Sequence, residues 1–148
     1  MNGAYLLVLK VKRNVSIRVG SLGKINFKKG FYCYVGSALG KMSLEKRICR
    51  HYRLNRNKRG KIRWHIDYLL VHKDIELVSA LYKRSKQKIE CKLSNKIAKL
   101  SEFTVKKFGS TDCRCFGHLH FLGKDLKVLK LIKLELFDFN QCSDQIRF

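Results

Sequence analysis

The sequence predicts an α+β fold: a small, mainly antiparallel β-sheet flanked by helices, with an extra β-hairpin and a C-terminal extension. Apolar and β-branched runs of strand length crowd residues 4–36, separated by turns containing Gly and Asn. Apolar residues then recur at helical spacing over 44–53 and 85–100, with a strand-like run between them. No Pro-rich or Ser-rich linker divides the 148 residues, which contain no proline at all. One domain is therefore expected over 1–148, with a core at about 3–100 and a Cys/His-containing extension at about 108–148.

Taken in order, Ala4 to Val11 is apolar enough to be a buried strand, and Arg13-Asn14 turns the chain. Ser16–Gly20 and Lys24–Phe27 alternate, which predicts a small meander with one wet face. Phe31–Gly36 is the most aromatic strand, ended by Gly36-Ser37-Ala38-Leu39-Gly40. Ser43 is a good N-cap for a helix to about Arg53, with Leu44, Ile48 and Tyr52 as its apolar stripe. Arg53 to Arg63 reads as a basic polar loop, Trp64–Val71 as a short helix or a strand, and Glu76–Tyr82 as a strand. Ser85–Leu100 reads as an amphipathic helix, Thr111–Phe121 as a turn feeding a strand, and Asp125–Phe139 as an ordered terminal element.

Composition narrows the partner. Lys and Arg number 33 against 11 Asp and Glu, a formal charge of +22, while a 45% hydrophobic share with nine Phe, six Tyr and one Trp supports a folded core. A compact body this positive repels itself and is best matched by a polyanion, nucleic acid first. No apolar stretch approaches the roughly 20 residues of a membrane span, and Met1-Asn2-Gly3-Ala4 lacks the charged start of a signal peptide. A cytoplasmic, nucleic-acid-associated protein without a membrane partner is expected. The six cysteines show no secreted framework, so reduced thiols are expected.

With so few acids, a nuclease built on clustered carboxylates does not fit, whereas a one-carboxylate site helped by phenols and guanidiniums does. The residues that would make one are Gly3-Ala4-Tyr5 opening the first strand, Tyr34-Val35-Gly36 in a later one, and Leu44-Glu45-Lys46-Arg47 with His51 on the helix. This set resembles the GIY-YIG nuclease superfamily. Val19-Gly20-x-Leu22-Gly23, Trp64-His65-Ile66-Asp67-Tyr68 and Asp112-Cys113-x-Cys115 with His118-Leu119 are similar to a mostly archaeal branch of it, sometimes joined to endonuclease III-type repair enzymes. The longer Tyr5-to-Tyr34 interval is then an insertion, the extra hairpin.

The resemblance implies that the two tripeptides lie on neighbouring strands and that Glu90, on a later helix, holds one Mg²⁺ or Mn²⁺. On residues alone, the alternative for Glu90 is an exposed glutamate pairing with Lys86 or Ser94. Tyr5 would help activate water, its phenol lowered by nearby cations or by metal-bound water so that it can accept a proton. Arg47 would clamp the phosphate, with Tyr34 and His51 positioning the reactants. Lys41, Lys46, Arg50, Arg53, Arg56, Lys58, Arg59, Lys61 and Arg63 would track phosphates.

His65 and Asp67 read as a supporting hydrogen-bond network. Cys113, Cys115, His118 and His120 are zinc-ligand types, but the C-x-C spacing is tighter than a finger's, so buried thiols beside the sheet are expected instead of zinc. The resemblance implies metal-dependent endonucleolytic hydrolysis, of DNA before RNA, leaving 3′-hydroxyl and 5′-phosphate ends, in repair or processing and with a repair-protein partner. The rival is a non-catalytic nucleic-acid-binding module of the same fold.

Overall fold

A computed structural model describes residues 2–39 and 43–142. Its eleven principal elements follow the chain as β1 (Gly3–Val11), β2 (Val15–Arg18), β3 (Lys24–Phe27), β4 (Gly30–Ala38), α1 (Leu44–Asn57), α2 (His65–Leu70), β5 (Ile75–Arg84), α3 (Glu90–Leu100), β6 (Phe103–Val105), β7 (Leu119–Gly123) and β8 (Glu135–Leu136). The main sheet has six strands in the order β6-β7-β4-β1-β5-β8, every neighbouring pair antiparallel. The α+β class and the mainly antiparallel sheet are as the sequence predicts.

β1 is an unbroken apolar run because both its faces are covered. Tyr5, Leu7, Leu9 and Val11 point into one core with Ile48 and Leu54 of α1 and Ile66, Leu69 and Leu70 of α2. Leu6 and Val8 point the other way, with Cys33 and Val35 of β4, Ile97 of α3 and Ile132 of the tail. Each such side chain, taken fully from water, contributes about 1.5–3 kcal/mol.

β2 and β3 are the extra two-stranded hairpin of the expected fold class, and because β1 pairs with β4 along its whole length, Gly3 opposite Ala38 to Val11 opposite Gly30, they stand apart from the main sheet. Several elements differ from expectation for identifiable reasons. α1 continues to Asn57, past Arg53, because Asn55 is tied inward: its side-chain amide donates to the carbonyls of Leu70 and Ile75 and accepts from the Leu77 N–H. The predicted basic loop is therefore helix in its first part, and α1 stops where Lys58 turns left-handed at φ 58°. α3 starts at Glu90 and not Ser85.

Beyond residue 108, β7 enters the sheet interior between β6 and β4, and β8 adds to its far edge. The expectation of reduced thiols is corrected at one pair: Cys49 of α1 is disulfide-bonded to Cys142, while Cys33, Cys91, Cys113 and Cys115 are free. Among the described residues no helix is long and apolar enough to cross a membrane.

Candidate functional site

Tyr5 and Tyr34 rise from neighbouring strands on the face covered by α1 and α2. Two glycines make room for them. Tyr5 faces Gly36 across the β1–β4 ladder, where a Cβ would lie 2.5 Å from the Tyr5 ring carbon and hydroxyl. A Cβ on Gly109 would lie 2.9 Å from the Tyr34 ring, and Gly109 has the positive φ of 68° that glycine tolerates. Its N–H donates to His65 Nδ1 at 2.9 Å, which joins α2 to the loop before β7.

The rings open onto a pocket of about 300 Å³ lined also by Arg47, Arg63, Trp64, His65, Glu90 and Asp112. Four of the five predicted catalytic residues thus share one cavity. The fifth, His51, is wholly buried behind Tyr5, its Nε2 2.7 Å from the Tyr5 hydroxyl. Arg47 lies over the Trp64 ring at 5.0 Å and donates to the Ser37 carbonyl, while its buried Nε has no hydrogen-bond partner. Trp64 and Asp112 are pocket residues missed by the sequence reading of the catalytic set; the aromatic-plus-carboxylate makeup of their motifs was the only signal.

The protonation of the phenols overturns one expectation. Burial drives the Tyr5 phenol well above its ordinary value, Tyr34, Glu90 and Asp67 push the same way, and Arg47 opposes them without prevailing. Tyr34 is likewise raised, first by burial and then by Glu90 and Asp67. Nearness to fixed cations is outweighed by the loss of water around a buried phenolate. Burial also pushes the His51 imidazole down to about 3. Tyr5 and His51 are both neutral at rest.

Behind this pair Asp67 organises a buried hub. Its carboxylate accepts from both terminal nitrogens of Arg50 at 3.0 and 2.9 Å, and from the N–H groups of Arg63 at 2.7 Å and Trp64 at 3.0 Å. Burial would raise its pKa, but these bonds overcome it and hold the carboxyl below its ordinary value. Asp67 Oδ1 lies 3.9 Å from His51 Nδ1, a buried nitrogen with no hydrogen-bond partner. The supporting network expected of this motif is thus present, with Asp67 serving Arg50, α2 and the back of the pocket.

The expected phosphate-tracking residues divide. Arg50 is committed to Asp67 and stacked on Trp64 at 4.7 Å, and Lys58 donates to the carbonyls of His72 and Ile75 as the cap of α1. Arg56 donates to the Tyr52 hydroxyl, and Lys46 is exposed at the start of α1. Arg53, Arg59, Lys61 and Arg63 line a basic groove of about 240 Å³, and Arg63 lines the pocket as well. Lys41 lies outside the described residues.

Beside the pocket, Glu90 Oε2 meets His118 Nδ1 at 3.1 Å, in place of the Lys86 or Ser94 contact open from sequence. His118 Nε2 faces Cys91 Sγ at 3.9 Å and Cys113 Sγ at 3.7 Å, and the donor atoms of Cys91, Cys113, Cys115 and His118 lie within 4.8 Å of one another. Burial and then the neighbouring Cys115 and Cys113 push the Cys91 thiol up to about 12. His120 is elsewhere, its ring nitrogens bonded to Ser94 and Thr104 hydroxyls at 2.8 and 2.7 Å. The sequence predicts buried thiols here in place of a metal site; Cys113 and Cys115 are instead only partly buried. Of the four ligand types noted in sequence His120 drops out, while Cys91, which no local spacing links to residues 113–118, joins the rest.

A family model described as Domain of unknown function DUF123 matches residues 4–139. No curated protein and no solved structure matches the chain.

Proposed function

The chain belongs to the family described as Domain of unknown function DUF123, and we propose that it is a metal-dependent endonuclease acting on DNA, of the GIY-YIG type that its motifs resemble. One observation carries the reading: Tyr5, Tyr34, Arg47 and Glu90, remote in sequence, line a single pocket that the basic groove adjoins at Arg63. The charge of +22 supplies long-range attraction for a polyanion, and the groove supplies the track.

Within the pocket Arg47, stacked on Trp64, presents a guanidinium to the scissile phosphate and stabilises charge that grows as water adds to phosphorus. Because both groups are neutral at rest, Tyr5 acts as a relay: its oxygen takes the proton of the attacking water while its own proton passes to His51 Nε2, 2.7 Å away. Asp67 Oδ1, on the far side of the imidazole, favours the charge that arrives there. The P–O3′ bond breaks, the leaving O3′ takes a proton from solvent water at the open pocket, and the products carry a 3′-hydroxyl and a 5′-phosphate.

Glu90, one-quarter exposed at the pocket wall, and Asp112 at the same cavity suit a hard divalent ion, which takes one or two protein carboxylates and keeps several waters. Mg²⁺ or Mn²⁺ held there would neutralise phosphate and leaving-group charge. The test is cleavage of labelled single-stranded, duplex, flap, junction and RNA substrates by wild type, Tyr5→Phe and Glu90→Ala, with binding measured alongside. Cutting lost in folded variants that still bind supports the reading. Salt-sensitive binding with no cutting by wild type of any substrate replaces it with a binding module.

A further inference from the structure

We propose that Cys91, Cys113, Cys115 and His118 form a structural zinc site that fastens the 106–118 loop to the first turn of α3. The inference stands apart from the nuclease reading and rests on four donors that converge from two distant segments. Zinc holds thiolate sulfur at about 2.3 Å and imidazole nitrogen at about 2.0 Å in a tetrahedron, which sets donor-to-donor separations at about 3.5–3.8 Å. His118 Nε2 already lies 3.7 Å from Cys113 Sγ and 3.9 Å from Cys91 Sγ, so closure needs only small side-chain movements.

The donor set selects the metal. Three soft thiolates with one imidazole suit zinc and disfavour Mg²⁺ or Ca²⁺, and four protein ligands leave no open coordination position, the mark of a structural centre. The second shell is also in place. With Nε2 turned to the sulfurs, His118 Nδ1–H donates to Glu90 Oε2 at 3.1 Å, the carboxylate–histidine–metal arrangement that fixes ring tautomer and orientation.

The local fold gives the site a purpose. Between β6 and β7 residues 106–118 contain no helix or strand, and their backbone is held by few bonds, among them Lys107 N–H to the Phe116 carbonyl and His118 N–H to the Phe108 carbonyl. A loop of this length without its own elements needs an anchor, and Cys113, Cys115 and His118 would provide it at Cys91. The anchor also sets Glu90, the residue before Cys91, against the pocket wall.

The experiment uses the full chain, purified under reducing conditions without chelator. Elemental analysis is expected to find one zinc per chain. Replacement by Co²⁺ is expected to give the intense visible bands of a tetrahedral site together with thiolate-to-cobalt charge transfer of three-sulfur strength, both abolished by adding zinc. Cys91→Ser is expected to lose the charge-transfer intensity of one sulfur, and Glu90→Ala to weaken zinc binding about 10-fold or more. His120→Asn is expected to keep the wild-type spectrum.

Weak octahedral cobalt bands, iron in place of zinc, or full zinc affinity in Cys91→Ser would each overturn the proposal. So would loss of the site in a folded His120→Asn chain. Should Cys91→Ser not fold, the wild-type cobalt spectrum alone decides, since it reports the number of thiolates bound.

Discussion

Replacing Asp67 with alanine removes the carboxylate on which the back of the pocket depends. The residue is fully buried and accepts four hydrogen bonds, two of them from the Arg50 guanidinium. Breaking a buried ion pair by deleting one partner costs about 3–5 kcal/mol, because the remaining charge keeps its desolvation without compensation. The Arg50 side chain is 14% exposed, so part of its charge can reach water, and the lower end, about 3 kcal/mol, is expected. Against a typical domain stability of about 5–15 kcal/mol that is a large fraction. Urea unfolding is the assay: with a slope of about 1–3 kcal/mol/M, the midpoint should fall by about 1–3 M at unchanged slope. Arg50→Ala should then cost much less in the Asp67→Ala background than in wild type. A loss below about 1 kcal/mol, the worth of an exposed pair, would refute the hub.

Other outcomes follow from the same geometry. Tyr5→Phe strands the buried His51 imidazole without a partner and should lower stability by about 1–3 kcal/mol, read by thermal unfolding, while abolishing cleavage. Gly36→Ala sets a methyl group against the Tyr5 ring and should cost about 1–3 kcal/mol and displace the phenol, seen as a changed Tyr5 ring signal by NMR. Burial holds His51 at about 3 and His120 at about 4, both below the unfolded value near 6.5, so between pH 6.5 and 4 the unfolded chain binds protons that the native chain refuses. Stability should therefore fall as pH drops through that window, by up to about 2.7 kcal/mol per pH unit for the pair, and His120→Gln should reduce the slope in pH-dependent urea unfolding. Removing Arg59 or Lys61 should reduce the salt dependence of duplex binding by about 0.9 in log–log slope per charge, measured by fluorescence anisotropy.

Residues that signal through their neighbours in sequence were legible. The apolar run of β1, the Ser43 cap, the short helix after Trp64 and the placement of Glu90 on a later helix all rest on local spacing, and all are found. What escaped depends on the third dimension. Nothing near Asn55 announces that its amide bonds to residues 70, 75 and 77, which is why α1 outlasts its apolar stripe. Nothing local joins Cys91 to Cys113 or Cys49 to Cys142. Composition misleads about the Tyr5 phenol, because it displays net charge, whereas burial, which dominates the titration of this group, is not visible in it.

The position of β1 at the centre of the sheet bears on how the chain reaches its native state. Its two partners come later in the sequence, β4 ending at Ala38 and β5 at Arg84, with the hairpin, α1 and α2 intervening. The antiparallel ladders thus join residues as far apart as Gly3 and Arg84, and such non-local pairing slows the search for the folding nucleus. On the ribosome β1 with β4 would present an open apolar edge until the β5 segment emerges, several seconds later at about 5–20 residues per second. That interval is when the nascent protein is most exposed to wrong strand partners and has most to gain from a chaperone.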